Sequence, residues 1–199
     1  MVFGFYLENN SMLRKIPPIV FVLLVFITAI SVLPLSAAIK PMTLPELMEI
    51  STGVIDGQII AKESVVIFDP ADDMHEIWTR LTLSGTELTT GETVTRDLYY
   101  MGGVWNGQRI FPVTSPRDYQ TRVGARVVAF YWFDPGLTES GANKIFCYPN
   151  IYQVQQGSEE PTVIGLGDGA AVPYNTKLSV LSAEVKRIFA EQKASRDDR

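Results

Sequence analysis

The stretch Ile77-Trp78-Thr79-Arg80-Leu81-Thr82-Leu83 alternates cleanly and puts Ile77, Thr79, Leu81 and Leu83 on one face. Successive side chains of a strand point to opposite sides of its sheet, so this pattern predicts a half-buried β-strand rather than a helix. Working outward, Val54–Ala61 and Ser64–Phe68 read as two short strands rich in β-branched residues. Ser84-Gly85-Thr86 reads as a bend or bulge and Thr90-Gly91 as a turn, followed by a strand over Thr93–Tyr100 that ends at Gly102-Gly103. Arg126-Val127-Val128-Ala129-Phe130-Tyr131-Trp132-Phe133 is the most apolar segment and predicts a central strand covered on both faces. Asp134-Pro135-Gly136 turns it, and shorter strands are expected at Lys144–Tyr148 and Ile151–Gln155.

Helical signals occur only at the flanks. Thr43 is placed to cap a short helix over 43–52, with Pro45 in its first turn and Glu46 near its positive end. Leu178, Leu181, Val185, Ile188 and Phe189 recur at helical spacing and give 178–193 one apolar side, ahead of a frayed tail. The expected fold is therefore mainly β. It is a small OB-like barrel or sandwich over 39–175, with a short N-terminal helix and an amphipathic C-terminal helix within 176–199.

With 199 residues the chain has room for one such domain, and its 46% apolar content is enough for a core. A net charge of −5 argues against nucleic acid as a partner. One His and one Cys exclude a four-ligand Cys/His zinc site and any disulfide within the chain. Cys147, in an apolar run, reads as a small buried hydrophobe rather than a nucleophile.

The first 38 residues have the order of a secretory signal. Arg14 and Lys15 precede an apolar run from Ile19 to Leu33, and Ser36-Ala37-Ala38 supplies small residues for cleavage after Ala38. Met12 is an alternative start. An uncleaved anchor over 16–39 is the rival reading, and both readings place the remainder outside the cytoplasm, periplasmic or secreted or held at the membrane facing outward.

The ordered series Val54-Ile55-Asp56-Gly57-Gln58-Ile59, Ile77–Leu83, Gly102-Gly103 and Gly124-Ala125-Arg126-Val127-Val128-Ala129-Phe130 resembles a group of exported bacterial β-domains. More distantly it resembles the OB-like barrel of tissue inhibitors of metalloproteinases and of netrin-like modules. The likeness spans about residues 43–155 and implies a barrel. It does not imply protease inhibition, because those inhibitors use a disulfide-held N-terminal Cys and this chain has no Cys near residue 39.

Two segments stand out as binding candidates. Tyr99, Tyr100, Trp105, Arg109 and Tyr119 lie on or beside a Gly- and Pro-containing stretch, and Trp, Tyr and Arg dominate contact energies at protein interfaces. They predict a non-catalytic domain whose partner is an exported or envelope protein. The alternative is a carbohydrate- or Ca²⁺-dependent ligand-binding domain. For that, Asp69, Asp72 and Asp73 gather hard oxygen ligands in one loop beside His75. No Gly-x-Ser-x-Gly turn accompanies His75, so a hydrolytic triad has no sequence support. Gly165-Leu166-Gly167-Asp168-Gly169 lacks the βαβ setting of a phosphate loop and reads as a mobile connection.

Overall fold

A computed structural model of the chain describes residues 41–69, 73–145, 150–157 and 159–197. The signal segment and Cys147 lie outside the described residues. Thr43 caps α1 (Leu44–Ile50) through a reciprocal box: the Glu46 N–H donates to the Thr43 hydroxyl at 3.4 Å, and the Thr43 N–H donates to the Glu46 carboxylate at 2.7 Å. There follow β1 (Gly53–Asp69), β2 (Met74–Glu87), β3 (Thr93–Met101), β4 (Gly103–Trp105) and β5 (Gln108–Ile110). A 3-10 turn at Asp118–Gln120 leads to β6 (Arg126–Asp134), β7 (Ala142–Lys144), β8 (Ile151–Gln155), β9 (Thr162–Val163), β10 (Thr176–Lys177) and α2 (Leu178–Asp197).

The strand order β1-β2-β3-β7-β6 is closed into a five-stranded barrel by pairing of β1 with β6. Every contact around the ring is antiparallel except β3 with β7, which run parallel. This is the order of an OB-like barrel. β8 extends the sheet from β6, and β9 and β10 follow it.

Where two short strands were expected over 54–68, β1 is continuous for 17 residues. Lys62 and Glu63 do not form a turn. They point to partners outside the strand, Lys62 to Asp118 at 3.2 Å and Glu63 to Arg80. One extra residue at Ile60 makes a β-bulge in the β1–β2 ladder. Bulges bend a strand, and here Ile55–Gln58 pairs with both β2 and β6, while the strand beyond the bulge pairs with β2 alone.

Gly85 is not a bend either. β2 passes straight through it, and Gly85 faces Gly57 across the ladder. A Cβ at Gly85 would run into the Asp56 carbonyl and the Gly57 Cα, so the two glycines let the two backbones approach closely here.

The alternation of β6 divides the core. Val127, Ala129 and Tyr131 point into the barrel with Ile55, Leu81, Leu83, Leu98 and Tyr100. Val128 and Phe130 point outward and are covered by Leu47 and Met48 of α1 and by Leu181, Val185 and Ile188 of α2. The apolar side read in 178–193 is therefore the face that covers the sheet.

A buried carboxylate joins three strands at one end of this barrel. Glu87, only 4% exposed, accepts the Val54 N–H at 2.7 Å, the Tyr131 hydroxyl at 2.5 Å and the Thr89 hydroxyl at 3.2 Å. A buried carboxylate is tolerable only with such donors. Gly53 has no Cβ to obstruct this cluster, since one would strike the Tyr131 hydroxyl. Beside it, Arg126 clasps Asp56 with two hydrogen bonds, 2.9 Å and 2.7 Å, across the β1–β6 seam.

Burial, followed by the hydrogen bond to Glu87, raises the Tyr131 phenol above its ordinary value of 10.0. Its contribution to stability is accordingly whole below pH 10 and is lost as pH rises above it. Tyr131→Phe, which removes one donor from a buried carboxylate, is expected to lower unfolding free energy by about 1–3 kcal/mol at neutral pH and to flatten the alkaline loss of stability. Urea titrations of both proteins at neutral and alkaline pH check this. Gly85→Ala should cost about 1–3 kcal/mol by the same assay, from forced overpacking against backbone.

Candidate functional site: the excursion between β3 and β6

Between β3 and β6 the chain leaves the barrel for residues 102–125 and returns. It is held compactly. The Gly102 N–H donates to Ile77 O at 2.8 Å, the Thr79 hydroxyl to Gly102 O at 2.6 Å, and the Val104 N–H to the Ser64 hydroxyl at 3.1 Å. Gly102 and Gly103 have φ of 108° and 152°, and a Cβ at Gly103 would meet Ser64 and Thr79. These glycines therefore let β4 lie directly on the β1–β2 extension.

At the other end Gln120 is fully buried. Its amide donates to Ile151 O at 2.6 Å, and its side-chain oxygen accepts the Arg117 N–H at 2.8 Å. Lys62 donates to Asp118 at 3.2 Å and to the Thr121 hydroxyl at 2.9 Å. Lys62 and Ser64 stand two positions apart on β1, roughly 7 Å along a strand, so β4 and the 3-10 turn flank the same short piece of β1.

Inside the excursion β4 and β5 form a ribbon with Gly103, Val104 and Trp105 opposite Ile110, Arg109 and Gln108. Asn106 (φ 46°) and Gly107 (φ 80°) supply the two left-handed positions of a type I′ hairpin. The sequence reading took this stretch as irregular, although Asn-Gly is itself a hairpin signal.

Among the described residues, eight of the fifteen exposed large hydrophobics fall between 101 and 123: Met101, Val104, Trp105, Ile110, Phe111, Val113, Tyr119 and Val123. Phe111 is 59% exposed and Val113 97%. Single exposed apolar residues are ordinary, whereas contiguous exposed apolar patches mark interaction sites, so this concentration makes the segment the candidate surface.

The five residues singled out by sequence are not all brought together. Trp105 and Arg109 sit on neighbouring strands of the ribbon, and Tyr119 lies exposed on the 3-10 turn. Tyr99 is on the outer side of β3, opposite its register partner Arg80 and packed against the Trp78 cluster. Tyr100 is a correction to the surface reading. It is 3% exposed and packs inside the barrel, because its register partner Thr79 faces inward. Neighbouring strand residues point to opposite faces, so only one of the two tyrosines had an outward course. Ile110, Phe111, Val113 and Val123 went unnoticed, although apolar side chains in a Pro-containing loop were the available signal.

A hollow of about 300 Å³ lies where β1, β2 and the end of β3 meet the turn between β6 and β7, lined by Phe68, Trp78, Met101, Leu137 and Lys144 among others. Its polar groups engage one another here. Lys144 pairs with Asp134 at 3.3 Å and lies 4.8 Å over the Trp78 ring, and the Trp78 indole N–H donates to Glu76 at 3.0 Å. Trp78 is 2% exposed and offers little surface to a ligand.

Asp73 adopts a left-handed φ of 52°, whereas Asp72 and the side chain of Asp69 lie outside the described residues. Among the described residues no cluster of three or more His, Cys, Asp or Glu side chains is placed to hold a metal ion. His75 stands opposite Phe68, with ring centroids 5.2 Å apart. No helix among the described residues is long and apolar enough to cross a membrane. The chain matches no known family model, no curated protein and no solved structure.

The two aromatic positions should separate in their effects. Tyr100→Ala opens a cavity in the barrel and is expected to cost about 3–5 kcal/mol of stability, whereas Trp105→Ala should change it by no more than about 0.5 kcal/mol. Paired denaturation curves check both values.

Proposed function

We propose that this chain is an exported binding domain whose partner is an envelope or secreted protein, held through the excursion between β3 and β6. The observation that carries the reading is the exposed apolar cluster on 101–123, fixed to the barrel by buried hydrogen bonds at both ends. A surface that is rigid before binding loses little conformational freedom on association, which favours affinity. Trp105, Phe111 and Tyr119 are the anchors, since large aromatic side chains give most contact area for the fewest rotatable bonds. Export is supported by the signal-like order of Arg14-Lys15, the apolar run and Ser36-Ala37-Ala38. The barrel serves as scaffold, and the excursion makes the contact.

Site-specific photocrosslinking in the host tests this. A photoreactive residue in place of Trp105 or Phe111 should give discrete protein adducts, and the same residue in place of the exposed Val180 on α2 should give none. Adducts from Val180 alone, or equally from all three positions, would contradict the reading.

A further inference from the structure

The charge on the excursion is opposite to that of the whole chain. Residues 102–125 contain Arg109, Arg117 and Arg122, a single carboxylate, Asp118, and no Lys or Glu, with Arg126 following at the start of β6, in a protein of net charge −5. Arg126 is committed to Asp56, and Asp118 is committed to Lys62. Elsewhere Arg80, Lys144, Lys177 and Arg187 all have carboxylate partners. Among the described residues neither Arg109 nor Arg122 has a salt-bridge partner, and both are exposed.

The ribbon adds a directional feature. Val104 and Arg109 form the wide pair of the two-residue hairpin, whose backbone groups point away from the ribbon. On the β4 side the outward Val104 N–H is used by Ser64. On the β5 side the outward backbone groups of Arg109 have no partner among the described residues, and all three residues of β5 are exposed. An open edge of this kind accepts an extended chain.

Resting on the protein-binding reading above, we infer that the excursion takes an extended acidic segment of its partner, which lies along β5 with its carboxylates on Arg109 and Arg122 and its apolar side chains against Trp105 and Phe111. An anionic lipid surface has the same charge, but the ribbon's shape does not fit one. Its tip is Asn106-Gly107-Gln108, and the apolar side chains flank it instead of leading it. Membrane-seated elements put their apolar side chains deepest.

The test is selection of a random peptide library on the full-length chain, followed by binding titrations of the enriched peptides at low and high salt. Phosphatidylglycerol vesicles provide a parallel arm. Enriched peptides should combine Asp or Glu with large apolar residues. Their affinity should fall at least tenfold in the Arg109→Glu/Arg122→Glu variant, and should weaken with salt, as expected for exposed ion pairs. Both arginines are exposed and have no salt-bridge partner among the described residues, so this variant should melt with the wild type, which separates lost binding from lost folding. Neutral or basic peptides whose binding is lost in Trp105→Ser but unchanged by charge reversal would overturn the acidic segment while leaving the docking surface in place. Failure to enrich any Trp105-dependent peptide would overturn both. Vesicle binding that needs Arg109 and Arg122, with no peptide enriched, would overturn the inference in favour of lipid.

Discussion

Most of this structure depends on β1 pairing on two sides at once. Its first half has β2 on one edge and β6 on the other, and that double pairing converts an open sheet into a barrel. The requirement is steric before it is energetic. Gly57 and Gly85 must meet without side chains for the two backbones to approach this closely, and the β1–β6 ladder ends at Gln58, just before the bulge at Ile60. Electrostatics finish the seam. The Asp56–Arg126 clasp joins β1 to β6, and the Glu87 carboxylate ties the start of β1, the end of β2 and the middle of β6. With the ring closed, no edge between β1 and β6 is left for another chain to pair with.

Closure also creates the platform for the excursion. Past the bulge β1 stays paired with β2, which stays paired with β3 as far as Met101, and residues 102–104 lie on this sheet against Ser64, Ile77 and Thr79. The connection from β3 to β6 therefore has a rigid support instead of open solvent, and its far end is tethered to β8 by Gln120. Long loops in small domains tend to be either functional or disordered, and this one is ordered by buried hydrogen bonds while leaving its apolar side chains outside. Such an arrangement uses stability from the barrel to hold a surface that stabilises nothing by itself.

Much of the fold was legible in the sequence, for identifiable reasons. The alternation of Ile77–Leu83, the unbroken apolar run of Val127–Phe133 and the helical spacing of Leu181, Val185 and Ile188 each report which side is buried, and burial is what periodicity encodes. The Thr43 cap is local chemistry and was equally readable, whereas the reciprocal bond from the Thr43 N–H to Glu46 emerged only in the structure. What was not legible depended on contacts distant in sequence. Lys62-Glu63 resembles a turn until Asp118 and Arg80 are known to lie opposite them. Gly85 resembles a bend until Gly57 is placed against it. The segment between β3 and β6 was singled out in the sequence, but its exposed and buried members were sorted imperfectly, because the burial of Tyr100 follows from its register with Thr79, which no local pattern contains.

The central claim is that a closed barrel holds the 102–125 excursion in one conformation before any partner arrives. Native-state hydrogen exchange on the isolated chain tests it most directly. The account predicts the slowest exchange in the β1–β6 seam, at Val54–Gln58 and Val127–Tyr131, together with clear protection at the Gly102 and Gln120 amides of the excursion. Exchange of Gly102 and Gln120 at the rate of an unstructured peptide, with the seam still protected, would contradict it.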